Sequence, residues 1–81
     1  MTRILVEIIA QLILFLDQAD ESILSLDAAV KQQEDLAFRL QQLSLPEREE
    51  FIRILEMIAS EMPSEDQRRI LRELPENVGI A

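Results

Sequence analysis

The chain has 81 residues, with 16 acidic and 8 basic side chains that give a net charge of −8, and 48% of its residues are hydrophobic. This length and composition are those of one folded domain, which we assign to residues 1–81, and they exclude a disordered chain. The negative charge disfavours nucleic-acid and anionic-membrane binding, because both surfaces attract basic proteins. The absence of cysteine excludes disulfides and thiolate metal sites and favours a cytoplasmic chain.

The first predicted helix is apolar around almost its whole circumference. Eleven of the thirteen residues in Ile4–Leu16 are apolar, and only Glu7 and Gln11 interrupt them. These two side chains are four residues apart, so they form one narrow polar line on a helix that Thr2 caps and that ends near Asp17. The other sides of this helix must be covered by the protein's own helices, by a second copy or by a partner.

The apolar run is not predicted to be a signal peptide or a membrane span. Glu7 lies inside the run, thirteen residues are too few to cross a bilayer, and no cleavage site with small residues follows. A polar, acidic connection at residues 17–22 follows the helix instead.

The second helix is predicted to begin at a cap formed by Ser25 or Asp27 and to reach about Leu43. It carries a stripe at alternating steps of three and four residues, which is typical of a helix that packs along one face. The stripe consists of Leu26, Ala29, Val30, Gln33, Leu36, Ala37, Leu40 and Leu43, and Gln33 is its one polar member.

A capping box of Ser44 and Glu47, with Pro46 in the first turn, predicts the start of a third helix that Pro63 ends. This helix has the clearest amphipathic pattern of the chain. Its predicted apolar face consists of Phe51, Ile52, Leu55, Ile58, Ala59 and Met62.

The fourth predicted helix is short. Ser64 and Gln67 form a second capping box, and Pro75 is predicted to stop the helix. Its apolar face is Ile70, Leu71 and Leu74, and the Val78 and Ile80 side chains of the tail are expected to fold back onto the core. The short connections make neighbouring helices antiparallel or steeply angled. We therefore predict an all-α protein, a small four-helix bundle with three long helices and a short C-terminal one.

The residue inventory argues against an enzyme. The chain has no His, Cys, Tyr or Trp, its one lysine is Lys31, and its one glycine is Gly79. Catalytic triads, the common zinc sites and glycine-rich phosphate loops therefore cannot be built. We predict no catalytic residue, no cofactor and no metal site. An enzyme that uses carboxylates alone is the least favoured alternative.

Two groups of residues are candidates for recognition. Asp17, Asp20, Glu21 and Asp27, with Glu34 two turns further along the same helix face, form an acidic corner for a basic protein partner. The simpler interpretation of these acids is an ordinary solvated surface.

Along the first helix, Ile4, Ile8, Leu12 and Phe15 share one side and are predicted to mediate self-association as a homodimer. The adjoining side consists of Leu5, Ile9, Ile13 and Leu16.

Four short stretches, DAAVK at residues 27–31, EDLA at 34–37, EREEF at 47–51 and LPENVG at 74–79, resemble a family of short, acidic, mostly uncharacterised bacterial helical proteins over residues 25–80. The apolar first helix lies outside this resemblance. In size, charge and lack of catalytic residues, the chain is also similar to bacterial immunity proteins that neutralise a co-encoded toxin. That likeness is one of type and not of motif, so it assigns no residue roles.

The leading hypothesis is therefore a non-enzymatic protein-binding module, most concretely an immunity protein or antitoxin that covers a basic toxin surface. Charge would speed the encounter, and a buried apolar cluster would hold the complex. The alternative is a homo-oligomeric structural or interaction protein in which the first helix is the self-interface and the acidic residues serve solubility.

Overall fold

The computed structural model describes residues 3–20, 22 and 25–81. Within these residues the chain forms four α-helices and no strand: α1 (Arg3–Gln18), α2 (Leu26–Leu40), α3 (Leu45–Glu61) and α4 (Glu65–Asn77). The fold is a small all-α four-helix bundle with a radius of gyration of 12.4 Å, which confirms the predicted class. The Thr2 cap predicted for α1 lies outside the described residues.

The most apolar helix, α1, is the central element of the bundle. It packs against α2, α3 and α4, so three of its sides face the protein itself. Its buried residues are Val6, Ala10, Ile13, Leu14 and Leu16. These residues share one core with buried side chains from α2, α3 and α4.

The core opposite α1 is built by α3 and α4. Phe51, Leu55 and Leu71 are its largest fully buried side chains beside Val6 of α1. Phe51, Leu55, Ile58 and Ala59 of the predicted α3 face are buried, and Ile52 and Met62 are half-buried. The structure also buries Ile54, which lies beside that face and which the pattern did not include.

Three of the helices begin after a serine whose side chain caps the first turn. Ser25, and not Asp27, is the N-cap of α2, since its hydroxyl accepts a hydrogen bond from the Ala28 N–H. The predicted capping box of α3 is present in both directions, between Ser44 and Glu47. Ser64 caps α4 by accepting from the Gln67 N–H, but the predicted second capping box is only half formed, since the described residues show no return contact from the Gln67 side chain. These short-range polar patterns therefore fix the helix starts that the sequence predicts.

The predicted end of α2 near Leu43 is wrong, because the helix ends at Leu40. Residues 41–43 form a tight turn in which the Leu43 N–H donates to the Leu40 carbonyl at 3.1 Å. Arg48 from α3 then donates to the Gln41 and Leu43 carbonyls at 2.5 and 3.1 Å. The turn brings the chain to Ser44, whose cap needs an extended backbone and is incompatible with a continuing helix.

Pro75 does not stop α4, which corrects a second prediction. The helix continues through Pro75 to Asn77. Proline removes one helical hydrogen bond, because it lacks an N–H donor, but its φ angle is compatible with a helix. The actual end is a Schellman motif. The Ile80 N–H donates to the Pro75 carbonyl, the Gly79 N–H donates to the Glu76 carbonyl, and Gly79 has φ +78°. The motif turns Val78 and Ile80 into the core, as predicted.

The predicted stripe of α2 is buried only in part. Leu40 is the buried residue of this helix, and Leu36 and Ala37 are half-buried against the core. Leu26 and Val30 are instead exposed, since α2 packs chiefly on α1. The periodicity identified a face of α2, but only the C-terminal end of that face is covered.

Substitutions at two neighbouring leucines of α1 test this burial. Leu14 is 4% exposed and Leu12 is 45% exposed. We expect Leu14→Ala to lower the free energy of unfolding by about 2–5 kcal/mol, because it leaves a cavity in the core. Leu12→Ala is the matched control and should cost less than about 1 kcal/mol in dilute protein. Urea denaturation measures both, and equal losses would contradict the orientation of α1.

Candidate protein-binding surfaces

One side of α1 carries five large apolar side chains that are exposed to solvent. They are Ile4, Leu5, Ile8, Leu12 and Phe15, and their exposed fractions range from 45% to 68%. At about 100° per residue, they lie within an arc of roughly 100° on the helix. We call these five residues the α1 apolar face. A group of this kind on a small protein is typical of an interaction surface.

The α1 apolar face includes all four residues predicted for self-association. On the adjoining side, Ile13 and Leu16 are buried and Ile9 is half-buried, so this side packs within the protomer as expected. Leu5 was assigned to that packed side, but it is exposed and belongs to the α1 apolar face. The sequence could not distinguish the two sides at Leu5, because both are apolar and only the positions of α2–α4 separate them.

Polar groups border the α1 apolar face on one side. Arg3 donates hydrogen bonds to the Glu7 and Glu61 carboxylates, each at 2.7 Å. The Glu61 hydrogen bond, with a smaller contribution from Glu7, raises the pKa of the Arg3 guanidinium above its ordinary value. The same contact from Arg3 lowers the pKa of Glu61. This triad connects the beginning of α1 to the end of α3 and leaves the apolar face free of charge.

The acidic corner is assembled only in part. Asp17, Asp20, Asp27 and Glu34 are all exposed, and Glu21 lies outside the described residues. Asp20 accepts hydrogen bonds from the backbone N–H and the hydroxyl of Ser22, at 3.0 and 2.5 Å. Asp17 of α1 and Glu34 of α2 both line one groove. The predicted role of these acids in partner binding stays a prediction.

This groove lies between α1, α2 and α4 and has a volume of about 310 Å³. We call it the α1–α2–α4 groove. Its apolar lining includes Ile13 of α1, Val30, Leu36 and Ala37 of α2, and Ile70 and Leu74 of α4. Asp17 and Glu34 supply the charges, and none of the described residues that line the groove is basic. Sequence reasoning missed the groove, because its α4 wall is more than thirty residues from the other two walls in the chain.

The described part of the chain holds neither a metal-binding cluster nor a membrane-spanning helix. Among residues 3–20, 22 and 25–81, no group of three or more acidic side chains is arranged to hold a metal ion. In the same residues no helix has both the length and the apolar character needed to cross a membrane.

Comparisons with protein-family models, with curated proteins and with solved structures give no significant match for this chain. The function must therefore be inferred from the α1 apolar face and the α1–α2–α4 groove.

The Arg3–Glu61 contact should make stability depend on pH. Because the pKa of Glu61 is lower in the folded chain, its contribution is complete above the ordinary glutamate pKa and is lost as the pH falls through the folded value. We expect Glu61→Gln to lower the melting temperature at pH 7 and to lower it less at pH 3. The effect should be small, since both groups are exposed.

Glu76→Gln is the control, because it changes the net charge equally at an exposed residue with no ion pair among the described residues. If Glu61→Gln lowers the melting temperature by the same amount at pH 7 and at pH 3, the charges of the contact contribute nothing to stability.

Proposed function

We propose that the protein is a non-enzymatic, cytoplasmic protein-binding module that holds its partner through the α1 apolar face. The observation that supports this is the exposure of five large apolar residues along the helix that also forms the centre of the core. A soluble monomer gains nothing from leaving such a surface open to water, because its burial is favourable. A binding surface explains why these positions are apolar although the fold does not need them to be.

The occupant that best fits this face is a second copy of the chain. None of the five residues is charged, and Arg3 and Glu7 on the same helix are paired with each other. Two copies can therefore meet here without bringing unpaired carboxylates together, although each carries a net charge of −8. A basic partner would instead favour a face with exposed acids.

The geometry of the face suits a two-fold dimer. Ile4, Ile8 and Leu12 are four residues apart, which forms one of the ridges by which helices pack into each other's grooves. The middle of the face lies between Ile8 and Leu12. A two-fold axis at this point lets each copy cover the other's face with the same residues.

The energy available from this contact is enough for a reversible dimer. Full burial of a Leu, Ile or Phe side chain contributes about 1.5–3 kcal/mol. These side chains are 45–68% exposed, so burying five of them on each copy supplies on the order of 10 kcal/mol. Association itself costs on the order of 4–15 kcal/mol. At the lower end of this cost about 6 kcal/mol remains, which corresponds to a dissociation constant of about 40 μM.

Ile8→Glu tests the dimer. It places a carboxylate at the centre of the α1 apolar face, where two copies would bring two such charges together, so we expect a monomer at tens of micromolar. Ile8 is exposed, so the variant should keep the helix content and melting temperature of a folded protomer. Leu45→Glu is the matched control, because Leu45 is an exposed apolar residue of α3. Sedimentation equilibrium measures the mass of each.

Salt provides a second measurement. Screening weakens the repulsion between two chains of charge −8, so the dimer of the original protein should become tighter as ionic strength rises. A stable monomer of the original protein at tens of micromolar in high salt would contradict self-association. A dimer that survives Ile8→Glu would place the interface on another surface.

A second candidate function, an immunity protein or antitoxin for a basic bacterial toxin, is supported by a different observation. Asp17, Asp27 and Glu34 are exposed and form no ion pair with any other described residue. Such unpaired acids on a strongly acidic protein speed its encounter with a basic surface. The α1 apolar face, or a dimer formed through it, is compatible with this role.

Expression of the neighbouring reading frames tests this candidate. We expect a frame beside the gene to encode a basic protein that stops growth when it is expressed alone, and we expect co-expression of this chain to restore growth. Co-expression of Asp17→Lys/Glu34→Lys should restore growth less, because the reversed charges repel the basic surface. Neighbouring frames that are harmless, or toxicity that this chain does not relieve, would contradict the candidate.

A further inference from the structure

We propose that the α1–α2–α4 groove binds a basic amphipathic helix of a partner protein. This inference rests on the proposed function as a protein-binding module and names a second surface and the class of segment that it accepts. The groove has an apolar floor from three helices and acidic side chains on two of its walls. An occupant must therefore present an apolar stripe with Lys or Arg beside it, which is the pattern of helices that bind in grooves.

The charges of the groove select a basic occupant. Asp17 near the end of α1 and Glu34 in the middle of α2 line the groove from two sides. Neither carboxylate forms an ion pair with a described residue. Since the described lining of the groove contains no basic side chain, these two charges are not neutralised by the residues around them there. Lys or Arg on either side of an apolar stripe would do so, and the net charge of −8 would attract the segment from a distance.

The apolar lining provides what a helix buries. Val30 lines the groove and is 42% exposed, although it belongs to the stripe by which α2 was predicted to pack. Leu36, Ala37 and Ile70 are only half-buried beside it. The volume of about 310 Å³ accommodates a row of two or three apolar side chains but not a whole helix, so the helix would lie along the groove with one face inserted.

A second copy of this chain is a poor occupant of the groove. The arginines of α4 are already engaged within the protomer: Arg69 pairs with Asp66 and Glu73, Arg72 pairs with Glu56, and Arg68 donates to the Met62 carbonyl at 2.6 Å. The chain is acidic as a whole, so a second copy would be repelled from Asp17 and Glu34. The groove also lies on the other side of α1 from the α1 apolar face, since Ile13 and Asp17 are rotated by more than about 100° from Ile8. A dimer through that face leaves both grooves open.

The experiment uses a defined probe, a fluorescein-labelled 18-residue peptide of Leu and Lys with a helical apolar stripe. Fluorescence anisotropy at about 20 mM salt measures its affinity for the full chain, where charges are screened little. Two control peptides test the apolar stripe and the positive charge separately. One has the same composition in a scrambled order without a stripe, and the other carries Glu in place of Lys. We expect the amphipathic basic peptide to bind and both controls to bind at least tenfold more weakly.

Matched variants locate the site. Asp17→Asn/Glu34→Gln removes both groove charges, and we expect it to weaken peptide binding about 3–10-fold. Glu49→Gln/Glu65→Gln removes the same net charge from exposed residues that do not line the groove, and it should weaken binding less than twofold. The difference between the two variants should shrink at about 500 mM salt. Equal losses in the two variants would overturn the proposal, because the net charge alone would then explain binding.

Ile8→Glu distinguishes this proposal from the proposed function. It alters the α1 apolar face and not the groove, so it should bind the peptide as tightly as the original chain even where it abolishes the dimer. In a ¹⁵N titration, amide shifts should concentrate at groove residues such as Val30, Ala37 and Leu74. Shifts concentrated on the α1 apolar face, or loss of peptide binding in Ile8→Glu, would overturn the groove as the site and leave the face as the one binding surface.

Discussion

The near-complete apolar circumference of α1 is the constraint on which the rest of the structure depends. A helix interrupted only by Glu7 and Gln11 cannot lie at the edge of a bundle as ordinary amphipathic helices do. The chain places it at the centre, where α2, α3 and α4 cover three sides. Three helices of this length leave the fourth side open, and that side is the α1 apolar face. The exposed apolar face is therefore a consequence of how the core is built and not an addition to it.

The two surfaces differ in the physical force that would drive their use. The α1 apolar face has no charged member, so salt should strengthen contacts made there between acidic chains. The α1–α2–α4 groove carries Asp17 and Glu34, so salt should weaken the binding of a basic segment there. Because the two surfaces lie on different sides of one helix, occupation of one does not exclude occupation of the other. If both proposals hold, the chain combines a partner site and a self-interface within 81 residues.

Features that depend on neighbours in the chain could be predicted, and those that depend on distant packing could not. The Ser44–Glu47 capping box and the buried face around Phe51 and Leu55 follow from local hydrogen bonds and helical periodicity. Leu5 and Val30 were misassigned because apolar residues occur on both sides of the boundary between core and surface. For the candidate sites, four of the five residues of the α1 apolar face could be predicted to share one side of the helix, but the groove required the position of α4.

The attachment of α2 has a consequence for the dynamics of the molecule. Its C-terminal end is fixed, since Leu40 is buried, Gln41 donates to the Val78 carbonyl at 2.7 Å, and Arg48 holds the turn that follows. Its N-terminal half has no buried residue. Local opening of a helix costs least where little apolar surface must be exposed. Within α2, amide hydrogen exchange should therefore be faster in the first two turns than near Leu40. The N-terminal half of the helix should open locally while its C-terminal end stays packed.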